Sequence, residues 1–119
     1  MAELRDKDLL RPLITELGAK FLARTRGEVV VLRELLERAK LGDSTVMEQL
    51  EHLAHRIHGT GATFGFAAVS ECGAEIEHLA EGHRARDVSV DAAVEPQRLQ
   101  HLMQCAQRLA QEVEIAAAS

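Results

Sequence analysis

Apolar residues recur along this chain at steps of three and four, the spacing of one face of an α-helix, and no stretch shows the alternation of a strand. Leu9, Leu10, Leu13, Ile14 and Leu17 predict a short first helix over about Asp8 to Leu17, which Gly18 ends or bends. A longer second helix follows, with Leu22, Thr25, Val29, Leu32, Leu36 and Ala39 on one stripe and Gly42 as its C-terminal cap. Asp43 or Ser44 caps a third helix, where Glu48 suits the positive helix start, and the pattern runs on to about Phe64. Gly65 breaks it before a fourth helix, about Ala67 to Gly82. The stripe of that helix is Val69, Cys72, Gly73, Ile76, Leu79 and Ala80, and its small members permit close packing. Gly82 to Ala93 reads as a loop, after which Pro96 occupies the first turn of a fifth helix carrying Leu99, Leu102, Ala106, Leu109 and Val113. Short connections favour antiparallel neighbours. The pattern therefore predicts an all-α fold over residues 1–119 as a single domain: an antiparallel four-helix bundle with a short additional N-terminal helix across one end.

Composition narrows the core. Apolar residues make up 46 % of the chain, but Phe21, Phe64 and Phe66 are the only aromatic ones, so Leu, Val, Ile and Ala must fill the interior. Phe64 and Phe66 are expected to plug the bundle where the third helix turns into the fourth. Cys72 and Cys105 stand in apolar helical patterns and read as small core residues, not as a disulfide or redox pair. No basic stretch precedes an apolar run at the start, and Val29 to Leu32 is far short of a membrane span, so the expected location is cytoplasmic with no membrane partner. With 14 basic and 19 acidic residues the formal net charge is −5, and no dense basic cluster offers itself to phosphate backbones, which argues against nucleic acid.

The third helix carries the candidate chemistry. With His55 at zero degrees and about 100 degrees per residue, Val46, Leu50, Leu53, Ile57 and Phe64 all fall within roughly 40 degrees of the opposite side. His55 is thus expected to face solvent, with Glu51, His52, His58, Gly59 and Ala62 on its face within one or two turns. Glycine inside a helix costs about 0.5 to 1 kcal/mol relative to alanine, yet Gly59 and Gly61 both lie where the helix must continue. Gly59, four residues beyond His55, presents bare backbone beside the imidazole and would let another protein approach the ring. A neutral imidazole is nucleophilic near neutral pH and can carry a phosphoryl group on a free ring nitrogen.

The run Ala54-His55-Arg56-Ile57-His58-Gly59-Thr60-Gly61-Ala62-Thr63-Phe64-Gly65-Phe66 resembles the signature of histidine-containing phosphotransfer domains. In that signature a His, a variable residue, an aliphatic residue, usually a Lys, a Gly, a run of small residues and a Phe-Gly follow one another. Helix order and lengths are similar to the family over nearly the whole chain. The resemblance implies that His55 carries the phosphoryl group, that Gly59 gives access, and that the partners are receiver domains of response regulators or hybrid sensor histidine kinases. The usual Lys is His58 here, which replaces a fixed positive charge by a group whose charge depends on pH. The chain has no G-x-x-x-x-G-K-[ST] loop and no kinase signature set, so a phosphoryl carrier without its own ATP site, and without a cofactor, is expected in place of an enzyme.

Other readings remain open on the residues alone. A metal site could use His52, His55 and His58 beside Glu51. Yet His52 and His58 are about 9 Å apart along a straight helix and close poorly round one ion, so no metal ligand is assigned. Glu75-Ile76-Glu77-His78 supplies only one Glu-x-x-His motif, which is ordinary on a solvated face. His78, His83 and His101 are expected to be surface or partly packed residues. A third possibility is an adaptor that binds a receiver without transferring phosphate; retention of His55 argues against it.

Overall fold

The computed structural model describes the backbone of residues 2–86 and 93–119 and the side chains of 9–85 and 93–119. Four helices follow in order, α1 (Ala2–Lys40), α2 (Val46–Thr63), α3 (Ala67–Arg86) and α4 (Pro96–Ala118), with no strand among the described residues. α1 packs on α2 and α4, and α3 packs on the same two, which closes a four-membered bundle. The core is aliphatic, as the composition requires. Leu32 and Leu36 of α1, Leu50 and Ile57 of α2, Val69 and Ile76 of α3, and Leu102 and Leu109 of α4 are all buried.

The N-terminal part departs from expectation. No separate helix covers Asp8 to Leu17 and none lies across one end, because α1 runs unbroken through Gly18. A glycine costs a helix at most about 1 kcal/mol, which is too little to interrupt one with good helix formers on both sides. Its missing side chain is used instead: a Cβ on Gly18 would lie 3.4 Å from the ring of Phe66 and 3.8 Å from that of Phe64. Both rings stack on Phe21, at centroid separations of 5.9 Å for Phe64 and 6.0 Å for Phe66. They fill the α2–α3 corner as predicted. At 1.5 Å per residue the 39 residues of α1 span roughly 58 Å, which accounts for the 61 Å long axis of the molecule. Leu9, Leu10, Leu13, Ile14 and Leu17 are exposed along this extension.

Two glycines close helices by the same device. Gly42 has φ +103° and Gly65 φ +79°, left-handed values that cost glycine nothing. At each, a 6→1 backbone bond follows: Asp43 N–H to Arg38 O at 3.0 Å, and Phe66 N–H to Gly61 O at 2.9 Å, the Schellman arrangement. The residue immediately before α2 is neither Asp43 nor Ser44. The N-cap position falls to Thr45, which makes no side-chain cap bond. Asp43 instead accepts hydrogen bonds from the hydroxyl and backbone N–H of Thr45 and from Arg38, and these partners hold its carboxyl below the usual carboxylate range. α3 continues to Arg86, so the loop expected from Gly82 to Ala93 is helical over its first five residues; the part over 87–92 lies outside the described residues. α4 begins with Pro96 as expected, preceded by Glu95 at φ −55° and ψ 135°. Arg98 reaches back from that first turn to donate to Leu79 O at 2.8 Å, which ties α4 to α3.

Candidate functional site

α2 buries Val46, Met47, Leu50, Leu53, Ala54, Ile57 and Gly61, and this fixes which side chains remain outside. His55 stands opposite that face with its side chain 73 % exposed. Its Nδ1 meets the carboxylate of Glu77, which comes from α3 and is itself mostly covered. An ionised carboxylate can only accept, so Nδ1–H is the donor, and in the neutral imidazole this tautomer leaves the lone pair on Nε2. One ring nitrogen is held while the other is available.

Glu77 reaches His55 because α2 and α3 pack backbone to backbone. A Cβ on Gly73 would lie 2.8 Å from His58 N and 3.0 Å from Ala54 O, and one on Gly61 would lie 3.2 Å from Ser70 N. The helix-interior cost of Gly61 is thereby offset: any larger residue would push α3 away. Ser70 stitches the seam, its hydroxyl donating to His58 O at 2.8 Å. In return His58 Nδ1 lies 3.0 Å from Ser70 Oγ and 3.2 Å from Ser70 O, and donates to them.

The six expected surface residues divide accordingly. His52, Gly59 and Ala62 are exposed with His55, and a Cβ built on Gly59 meets nothing within 4 Å. Glu51 and His58 are instead turned toward α3 and half-buried. Glu51 accepts a hydrogen bond from Arg84, and His58 is engaged by Ser70. The helical projection places these two within about 60 degrees of His55, and that angle is enough to reach the neighbouring helix. On the other flank Arg56 donates to Glu28 of α1, which also pairs with Arg24 at 3.5 Å. His52, His55 and His58 do not converge on one point, since His55 points to Glu77 and His58 to Ser70. Of the remaining histidines, His78 is exposed, whereas His83 is buried, deeper than expected for a surface or partly packed residue. His101 bonds Glu75 at 2.8 Å.

Glu77 and Arg84 escape a reading of α2 alone because both belong to another helix. A signal for Glu77 does exist: it lies one helical turn after Gly73, the point of closest approach, and so is a polar group aimed at α2.

A family model described as Hpt domain matches residues 16–114. No curated protein and no solved structure matches the chain.

Proposed function

This chain belongs to the Hpt domain family, phosphocarrier modules that serve histidine phosphotransfer in phosphorelay signalling, act on receiver domains and have no ATP site of their own; from that premise we propose that His55 is its phosphoryl-accepting residue and that the whole of 1–119 forms one such domain. The observation that carries the assignment is the state of the His55 ring, exposed, with Nδ1 occupied by Glu77 and Nε2 free.

In this reading Nε2 of neutral His55 attacks the phosphorus of an aspartyl phosphate on the receiver domain of a response regulator or hybrid sensor kinase. The N–P bond forms as the P–O bond to the aspartate breaks, and the aspartate leaves as a carboxylate. The proton on Nδ1 stays where it is. The ring becomes cationic on phosphorylation, and the Glu77 carboxylate against Nδ1–H stabilises that charge. Reversal returns the phosphoryl group to an aspartate by the same path. The magnesium ion and acidic pocket of phosphoryl transfer are supplied by the receiver. His52, Gly59 and Ala62 make the approach surface, while Glu51 and His58 support it from the α3 side. In this reading the exchange takes place in the cytosol, where the ATP that feeds kinases is found. No helix among the described residues is long and apolar enough to cross a membrane.

The test is His55→Gln. Labelling from a phosphorylated receiver should be lost entirely, while stability changes by no more than about 0.5 kcal/mol, as at other exposed positions. An acid-labile label that persists in this variant would assign the chemistry to another histidine.

A further inference from the structure

On the opposite flank of α3 a second polar cluster has no part in the chemistry of His55. We propose that Glu75, His101 and Cys105 form a binding site for one divalent transition-metal ion of the zinc class, bridging α3 and α4.

Each of the three side chains offers one ligand atom, and these atoms lie within 4.8 Å of one another. An ion held at about 2.0 to 2.3 Å from nitrogen, oxygen and sulfur needs its ligands roughly 3.3 to 3.8 Å apart, a separation reached by small side-chain rotations. His101 and Cys105 are four residues apart and so occupy adjacent turns of one face of α4, while Glu75 comes across from α3. Two ligands from one helix and one from its neighbour would clamp the pair. At present Glu75 Oε1 accepts from His101 Nε2 at 2.8 Å, so the carboxylate and the imidazole already point at each other. Cys105 closes the floor of the cluster at 5 % exposure, and the side chains of Glu75 and His101 are 40 % and 49 % exposed. An ion would thus enter from solvent and keep one position open to water, an arrangement of three protein ligands and a fourth free site.

The donor set selects the ion. Thiolate, imidazole and carboxylate together suit zinc or cobalt, whereas magnesium and calcium take oxygen ligands. Burial, with the Glu75 charge beside it, pushes the Cys105 thiol up to about 12, so at neutral pH it is protonated before the ion arrives. Binding would release that proton to solvent, as thiolate coordination requires. Coordination through Nε2 would displace the proton that His101 now shares with Glu75; in the neutral ring it passes to Nδ1 with no net loss. Neither oxidant nor reductant is involved. Cys72 is also buried and lies one turn before Glu75, but its sulfur is outside the converging set.

The experiment is a titration of the full chain with Co²⁺ under reducing, chelator-free conditions. The expected result is a thiolate-to-cobalt charge-transfer absorption that saturates at one equivalent and is displaced by Zn²⁺. Cys105→Ser should remove the band, Cys72→Ala should retain it, and His101→Ala and Glu75→Gln should abolish saturable binding. His101 is exposed, so its variant keeps the fold and decides the matter even if Cys105→Ser unfolds. A second readout is thermal: Zn²⁺ should raise the melting temperature of the wild-type chain and not that of His101→Ala. Absence of the band in the wild-type chain would overturn the proposal. So would a band of the same affinity in His101→Ala and Glu75→Gln, which would report simple thiol binding.

Discussion

His55 and Gly59 occupy the open side of α2, whereas His58 and Gly61, only a few residues away, lie against α3. The residue types are the same and the surroundings opposite. His58 is engaged by Ser70 through its ring and its carbonyl, and a Cβ on Gly61 would press on the Ser70 backbone. His55 has one bonded nitrogen and an open surface, and Gly59 has empty space above it. A histidine and a glycine therefore do not identify a reactive surface by themselves. Their angle relative to the neighbouring helix decides whether they join the packing or remain available. The two sides are also coupled, because the closeness achieved at Gly61 and Gly73 is what lets Glu77 reach the His55 ring.

The hardest blow to this arrangement should come from Gly73→Ala. The added Cβ would stand 2.8 Å from a backbone nitrogen of α2, and backbone cannot rotate away as a side chain can, so the helices must separate. Overpacking of this kind costs about 1 to 3 kcal/mol, which should appear as a lower urea midpoint with little change in slope. Phosphorylation of His55 should slow as well, because Glu77 moves with α3. Unchanged stability and unchanged transfer would mean that the seam is looser than its geometry says and that Glu77 does not depend on it.

Ser70→Ala should do less. It removes the donor to His58 O and the Oγ contact with His58 Nδ1, but Ser70 O remains 3.2 Å from that nitrogen. The loss should amount to about 0.5 to 1.5 kcal/mol, typical of one intramolecular hydrogen bond, read by thermal unfolding. Labelling of His55 should continue at nearly the wild-type rate. A collapse of labelling with the fold intact would make His58 and Ser70 part of the transfer machinery and erase the contrast between the two sides.

Much of this was legible in the sequence. The stripe of Val46, Leu50, Leu53 and Ile57 placed the core side of α2 and hence the outward direction of His55, because helical periodicity is a local property. Gly42, Gly65 and Pro96 marked helix ends for equally local reasons. Gly18 misled because the reason for a glycine there, the Phe64 and Phe66 rings, comes from residues more than forty positions away. The inward turn of Glu51 and His58, and the approach of Glu77, needed the position of α3. That position is set by Gly61, Gly73 and Ala54 acting together, and its trace within one helix is only the small-residue stripe at Gly73, one turn before Glu77. His101 looked ordinary for the same reason, since Glu75 faces it from another helix.

Gly59 sharpens the contrast with the smallest expected effect on the fold. Nothing lies within 4 Å of a Cβ placed there, so Gly59→Ala meets no clash and gains helix propensity. The isolated domain should become more stable, by up to about 1 kcal/mol, the reverse of the sign expected for Gly73→Ala. Gly59→Gln should also fold, yet its side chain would rise one turn from His55 and stand between the imidazole and an approaching receiver pocket. The measurement is paired: thermal unfolding of the free domain beside the rate of transfer from one phosphorylated receiver. Intact folding with slowed transfer in the Gln variant, and little change in the Ala variant, would establish that Gly59 serves approach and not packing. Full transfer by the Gln variant would place the approach surface elsewhere on the exposed side of α2, nearer His52. Destabilisation by alanine would mean that Gly59 is packed after all, and that the two sides of α2 are more alike than their surroundings indicate.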